Sequence, residues 1–192
     1  NMDALKERFI KKALPVAAEV KQFSKEHGDK LVGQYTVSQV YGGMHGITGL
    51  ITETSKLDPE EGIRFRGYTI PELREKLPKA IGGFEPLPEG IFYLMLMGEL
   101  PTFEDVMEVS NNWARRAIVP NHVFNVIDAM PLATHPMTQF SAAILAIQTE
   151  SEFAKMYRKG INKKDYWDPT YEDAMNLIAR LPRIAAYIYR RV

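Results

Sequence analysis

Apolar residues at Leu5, Phe9, Ala13, Val16, Val20 and Phe23 recur three or four positions apart, with charged residues filling the intervals. That period places them along one side of a helix and predicts one over residues 3–27, with Gly28 as its stop. Pro15 lacks an amide proton, so a kink or a second segment is expected there. Across residues 34–68 the helical period is lost and glycines crowd the chain. Short extended pieces are expected at residues 33–37 and 62–66. Thr69 reads as the cap of a short helix, with Pro71 and Glu72 in its first turn. Residues 81–88 carry two breakers and read as a loop.

Beyond Pro88 the helical pattern becomes denser. Residues 89–98 predict a buried helix closed by Gly98. Thr102, with Asp105 three residues on, predicts the cap of a helix presenting Val106, Val109, Trp113 and Ala117. Asn121 is expected to cap another, with Val123, Val126, Ile127 and Met130 on one face. His135 and Pro136 open a fourth that carries Met137, Phe140, Ile144 and Ile147. Its Ala142, Ala143 and Ala146 make a small-residue side, which permits close helix approach in a core or across a subunit boundary. Helices over 151–158 and 168–192 complete the series, the last kinked near Pro182. No repeat, low-complexity tract or linker interrupts it. The expected fold class is all-α, with a short irregular and extended segment near residues 33–68.

Composition narrows the function classes. The 192 residues suffice to bury a real core. With 24 basic and 24 acidic residues the net charge is zero, which gives no bulk electrostatic reason to expect nucleic acid or an anionic membrane as partner. Zero cysteines exclude disulfides, thiolate metal sites and a thiol nucleophile. The longest apolar run, residues 91–97, is far below the ~20 residues that cross a bilayer, so a soluble chain is expected. The first residue is Asn1, and helical spacing persists to Val192. Both ends are therefore expected to have continued in a longer polypeptide.

Residue types alone reveal little chemistry. His27, His45, His122 and His135 are not at metal-ligand spacing, so no metal site is expected. His27 suits a helix C-terminus, and His122 and His135 lie at helix starts. His45 differs, because glycines surround it in the run GGMHG at 42–46, where a flexible loop can bring one polar head close to a ligand. The acidic pairs Glu60–Glu61, Glu104–Asp105 and Glu172–Asp173 are adjacent in sequence, so on a helix their side chains diverge. Ser141 has no nucleophile elbow around it. The run Arg158, Lys159, Lys163, Lys164 could clamp a phosphate or form a solvated face. Tyr166 and Trp167 could stack on a ligand or pack in the core.

Longer phrases carry more. YGGMHGITGL at 41–50, ETSKLDPEEGIRFRGY at 53–68, EPLPEGIF at 85–92, HPMTQFSAA at 135–143 and YWDPTYEDAMNLIARLP at 166–182 resemble citrate synthase, in its eukaryotic mitochondrial wording. The resemblance implies that residues 1–192 form the N-terminal part of that family's large helical domain. It implies condensation of acetyl-CoA with oxaloacetate and hydrolysis of the citryl thioester, the first step of the tricarboxylic acid cycle. It implies a homodimer in the mitochondrial matrix, with the helix at 136–149 near the subunit contact. Acetyl-CoA is a substrate, and no cofactor is implied. The family's catalytic aspartate, its two catalytic histidines and its carboxylate-gripping arginines are expected beyond Val192, so no catalytic residue is assigned and the chain alone is expected to be inactive.

Two positions carry over. His45 stands where the family usually has an arginine that helps bind the coenzyme A phosphate of the neighbouring subunit's site. An imidazole lacks arginine's fixed charge and bidentate fork. Lys163 falls on the family's second basic position and keeps the charge without the fork. Arg64 and Arg66, alternating with Phe65, are expected to pin their turn to nearby carbonyls or carboxylates. The alternative is a helical scaffold or interaction fragment derived from the enzyme and lacking its chemistry.

Overall fold

The computed structural model describes residues 3–192. It divides into two compact units, residues 1–108 and 109–192.

In the first unit α1 (Ala4–His27) is capped by Asp3, whose carboxylate accepts from the Lys6 amide at 2.7 Å. Its start is anchored: Leu5 is buried, Arg8 pairs with Asp105 (3.2 Å) and Glu108 (2.6 Å), and Lys12 pairs with Glu99 (2.5 Å). The helix continues through Pro15, so the expected second segment does not form. An exposed proline removes one backbone bond without obliging the helix to end.

The extended piece expected at 33–37 is also corrected. Thr36 is extended (φ −96°, ψ 158°), but Val37 opens a short helix, α2 (Val37–Tyr41). The Thr36 hydroxyl accepts from the Gln39 amide, and the Gln39 carboxamide accepts from the Thr36 amide. This reciprocal box satisfies donors that a helix start otherwise leaves open.

The irregular segment then forms a small antiparallel sheet of β1 (Ser55–Asp58), β2 (Gly62–Phe65) and β3 (Tyr68–Thr69), in that order. Ser55 faces Phe65, and Arg64 faces Thr69. Thr69 caps α3 (Ile70–Lys76), as the sequence predicts, and Glu72 completes a second capping box there. Gly98 closes α4 (Pro88–Met97) in the left-handed region. Leu73, Leu77 and Leu94 make the buried cluster here, with Phe65, Tyr68, Ile91 and Leu100 packed around it.

The division between units falls within α5 (Phe103–Arg116), whose Thr102–Asp105 cap forms as expected. In the second unit α6 (Asn121–Asp128) has Pro120, not Asn121, at its cap position, and no side chain caps it. Of its expected face, Val123 and Ile127 are buried while Val126 is exposed. His135 caps α7 (Pro136–Ala146), with Nδ1 accepting from the Met137 amide at 3.1 Å. After a 3-10 turn at 147–150, α8 (Glu152–Arg158) and α9 (Trp167–Arg191) follow, and α9 runs through Pro182.

Val119, Val123, Ile127, Ala143, Ile147, Ile184 and Ile188 form one core from α6, α7 and α9. The small-residue side of α7 faces inward: Ala143 is buried and Ala146 packs on the same cluster, while Met137 and Leu145 are exposed. Beside this core Arg116 donates to Asn112 (2.6 Å), Glu172 (2.6 Å) and Asn176 (2.9 Å), tying the end of α5 to α9. The fold is mainly helical with a minor sheet, matching the expected class.

Candidate functional site

His45 lies in the first unit, on the turn that follows α2. Amides of Gly42, Gly43 and Met44 donate back to Ser38, Val40 and Gln39 carbonyls at 2.9–3.2 Å. Gly43, Met44 and Gly46 have φ of 73°, 66° and 71°. Three left-handed residues among four reverse the chain sharply, which glycine permits at no steric cost and methionine does not. Crowding is not the reason for glycine at position 43, since a Cβ there would meet nothing within 4 Å. The turn leaves His45 exposed, with one donor and one acceptor to offer when neutral.

The hairpin arginines are committed to the protein, as their alternation predicts. Arg64 forks onto the Glu61 carboxylate and donates to the Gly67 carbonyl at 2.7 Å. The hydrogen bonds from the Arg64 guanidinium hold the Glu61 carboxyl below its usual range. The amides of Glu61 and Glu60 lower Asp58 in the same way. Arg66, itself at φ 48°, reaches the Met95 carbonyl of α4 at 2.7 Å and 3.3 Å.

Lys163 lies in the second unit, on a turn built from both sides. Asp173 of α9 accepts from Ser151 Oγ (2.6 Å) and from the amides of Glu152 (2.7 Å) and Phe153 (3.1 Å), which fixes the start of α8. At its end the Gly160 amide donates to Tyr157 and that of Ile161 to Met156, at 3.0 and 3.2 Å. The Asn162 side chain then accepts from the Lys164 amide at 3.1 Å, setting a 3-10 turn at Lys163–Asp165. Arg158, Lys159, Lys163 and Lys164 are all exposed. Tyr166 packs edge-on against Phe153, with ring centroids 5.1 Å apart. Tyr157, which sequence reasoning did not single out, stacks on Phe153 beside this turn. Its only sequence signal is the four-residue spacing from Phe153 just ahead of the basic run.

The other histidines have local structural contacts. His135 caps α7, His122 Nε2 lies 2.9 Å from the Ala146 carbonyl, and His27 meets Phe23 edge-on at 4.8 Å. Among the described residues no cluster of three or more histidine, aspartate or glutamate side chains could hold a metal, and no helix is long and apolar enough to cross a membrane.

Residues 43–192 match the family model described as "Citrate synthase, C-terminal domain". The chain belongs to the citrate synthase family. Its relatives include the mitochondrial citrate synthase of Aspergillus niger, 55% identical over 189 residues (98% of this chain, 40% of that protein). The mitochondrial citrate synthase of Xiphias gladius is 57% identical over 173 residues (90% and 37%). The mitochondrial 2-methylcitrate synthase of Yarrowia lipolytica is 53% identical over 192 residues (100% and 41%). The chain thus spans about two fifths of the length of these relatives. Among solved structures, the citrate synthase of Pyrobaculum aerophilum superposes with a TM-score of 0.63 at 26% identity, over 84% of this chain and 39% of that one. That of Thermoplasma acidophilum shares the fold at a TM-score of 0.59 and 22% identity, over 82% and 36%. Membership in the citrate synthase family agrees with the phrases read from the sequence.

Proposed function

We propose that this chain is the N-terminal part of the large helical domain of a mitochondrial-type citrate synthase. The enzyme condenses acetyl-CoA with oxaloacetate and water to give citrate and CoA, which opens the tricarboxylic acid cycle in the mitochondrial matrix. The observation that carries this reading is 55% identity along nearly the whole chain to a mitochondrial citrate synthase. Within it, these helices frame the thioester substrate, and the proton-moving groups come from polypeptide outside the 192 residues. Three of the four histidines are engaged in caps and local contacts, which supports leaving catalysis to residues elsewhere.

His45 and Lys163 are proposed to meet the coenzyme A phosphate. Lys163 supplies a fixed charge on an exposed turn, and His45 a single hydrogen bond in place of a guanidinium fork. The site is proposed to form in a homodimer, with α7 contributing its exposed Met137 and Leu145 to the contact. Acetyl-CoA enters as substrate, and the reaction needs no cofactor. The Yarrowia lipolytica relative supports a second reading. 2-Methylcitrate carries one methyl more than citrate, and the acyl donor must bring it, so the thioester would be propionyl rather than acetyl.

The test is oxaloacetate-dependent thiol release by the native polypeptide, with acetyl-CoA and propionyl-CoA compared, alongside its intact mass. Turnover with acetyl-CoA and a mass well above 21.9 kDa support the first reading. A preference for propionyl-CoA supports the second, and no turnover with either supports the scaffold. In the same protein His45→Arg is expected to tighten acetyl-CoA binding about 5-fold, the value of roughly 1 kcal/mol of charge-assisted bonding. An unchanged Kd removes His45 from the site.

A further inference from the structure

Residues 174–192 of α9 hold four arginines, Arg180, Arg183, Arg190 and Arg191, and no acid. Three of them line a groove against α6. Arg183, Arg190 and Arg191 form one wall with Ala186 and Tyr187, and Asn121 and Phe124 form the other. Its volume of about 720 Å³ lies within the ~300–1,000 Å³ usual for small-molecule sites, which likewise combine an apolar lining with a few polar groups. Elsewhere in the chain Arg8, Arg64, Arg74 and Arg116 each meet a carboxylate. Among the described residues no carboxylate lines this groove, and neither Arg183 nor Arg190 pairs with an acid. Both are exposed.

Arg183 is nonetheless held. Its guanidinium carbon lies over the Phe124 ring, 5.5 Å from the centroid. Phe124 meets Tyr187 at 4.7 Å, tilted by 53°, and the Tyr187 hydroxyl reaches both Asp128 oxygens at 2.8 and 2.9 Å. That series of contacts orients the guanidinium without using its N–H edges, because a ring takes the face and leaves the fork open. Asp128, outside the lining, is already engaged by Tyr187 and lies 3.7 Å from Arg191. Arg191 is committed too, donating to Gln139 at 2.9 Å and to the Asp128 carbonyl at 3.2 Å. Arg190 stands two helical turns from Arg183, about 10 Å along the axis. One compact anion would engage one of them, whereas a ligand with two oxyanion groups spans both.

We infer that the groove between α6 and α9 binds a small polyanion, with one oxyanion group forked by Arg183 and another met by Arg190. Phe124, Ala186 and Tyr187 supply the apolar floor between the two charges, and Asn121 offers a neutral donor from the opposite wall. Like charges gathered on one stretch of helix repel one another, and a bound anion relieves that repulsion. Carboxylate and phosphate fit a guanidinium fork equally well, so polycarboxylates and polyphosphates are the two sources of such a ligand. The groove shares no residue with the turn that carries Lys163.

The experiment is calorimetric titration of the native polypeptide with pyrophosphate and, separately, with tricarballylate. Arg183→Gln and Arg190→Gln are each expected to weaken the preferred probe by about 10-fold, the equivalent of ~1.4 kcal/mol. The double variant should abolish its binding. Arg183→Lys keeps the charge and loses the fork, so it should still weaken binding by about 3-fold or more. Arg180→Gln, which removes a cation of α9 outside the groove, should leave the affinity within about 2-fold of the parent. The probe bound more tightly by the parent identifies the source. Failure of the parent to bind either probe overturns the inference. So does binding that Lys163→Ala removes and the groove variants do not, since the anion then sits on the other turn. Equal losses in Arg180→Gln and Arg183→Gln overturn it as well, because general charge rather than the groove would be responsible.

Discussion

Residues 31–51 and the core of α6, α7 and α9 are both rich in apolar side chains, and they use them in opposite ways. In the first, Leu31, Val32, Tyr41, Leu50 and Ile51 are each 79–91% exposed. In the second, Val123, Ile127, Ala143 and Ile184 are wholly buried. The difference is not in hydrophobicity but in what spacing allows. Apolar residues three and four apart on long helices line up, and three such stripes close on one another. The earlier stretch has apolar residues without a period long enough to form a face. Its order comes from local hydrogen bonds: the Thr36–Gln39 box and the turn amides of Gly42, Gly43 and Met44. Such bonds fix conformation and add little cooperative stability.

That contrast can be broken most directly by removing the same kind of group from each region. Ile184→Ala deletes buried methyl groups from a packed cluster and should cost about 2–5 kcal/mol. Leu31→Ala removes a side chain already in water and should change stability by no more than about 0.5 kcal/mol. Urea unfolding of the two variants checks the pair. Equal losses would mean that the exposed stretch is covered by folding that burial does not describe.

What the sequence made legible follows the same line. Caps whose donor and acceptor lie three residues apart, Thr69–Glu72 and Thr102–Asp105, could be read off directly, as could the Gly98 stop. Pro120 displaced the cap expected at Asn121, because a fixed φ suits a helix entry without any side-chain bond. Val37, Val40 and Tyr41 favour strands by type, and the Thr36–Gln39 box overrode them. β1 (Ser55–Asp58) went unread because strand pairing is not local: Ser55 is defined by Phe65, ten residues on. The second segment that Pro15 could have started does not form, and α9 continues through Pro182 with the buried Ala179 and Ile184 on either side of it. At the candidate site, the glycine flanks of His45 and the basic run that includes Lys163 are legible in the sequence, but their joint assignment to one ligand comes only from the family resemblance. The contact of Tyr157 with Tyr166 depends on a chain reversal at Gly160 that no period announces.

A middle-sized effect is expected where the irregular segment joins a helix. Arg66 combines a left-handed backbone with two bonds to the Met95 carbonyl. Arg66→Ala loses those bonds and keeps the backbone strain, for an expected cost of about 1–3 kcal/mol. Arg66→Gly loses the same bonds but sheds the strain, and should recover about 1 kcal/mol of that cost. Urea midpoints for the two variants should therefore rank glycine above alanine. The reverse order would mean that the φ of 48° is not a burden to the native side chain.

The smallest effect separates the regions by pH. In the sheet and the start of α3, Asp58 is lowered by the Glu61 and Glu60 amides, Glu61 by Arg64, and Glu72 by the Thr69 amide and hydroxyl. Each carboxyl is more acidic folded than unfolded, where the ordinary values are 3.8 for aspartate and 4.5 for glutamate. Their contribution is therefore complete above those values and is lost as pH falls through the lower folded ones. These groups are exposed, so screening keeps the loss modest. The apolar cluster of α6, α7 and α9 contains no titrating side chain and has no such dependence of its own. Amide exchange followed from pH 6 down to pH 2 should show Arg64 and Arg66 losing protection before Ile127 and Ile184. Simultaneous loss at all four would mean that the hairpin and the helical core open as one cooperative body, with local hydrogen bonds contributing as much to that opening as burial does.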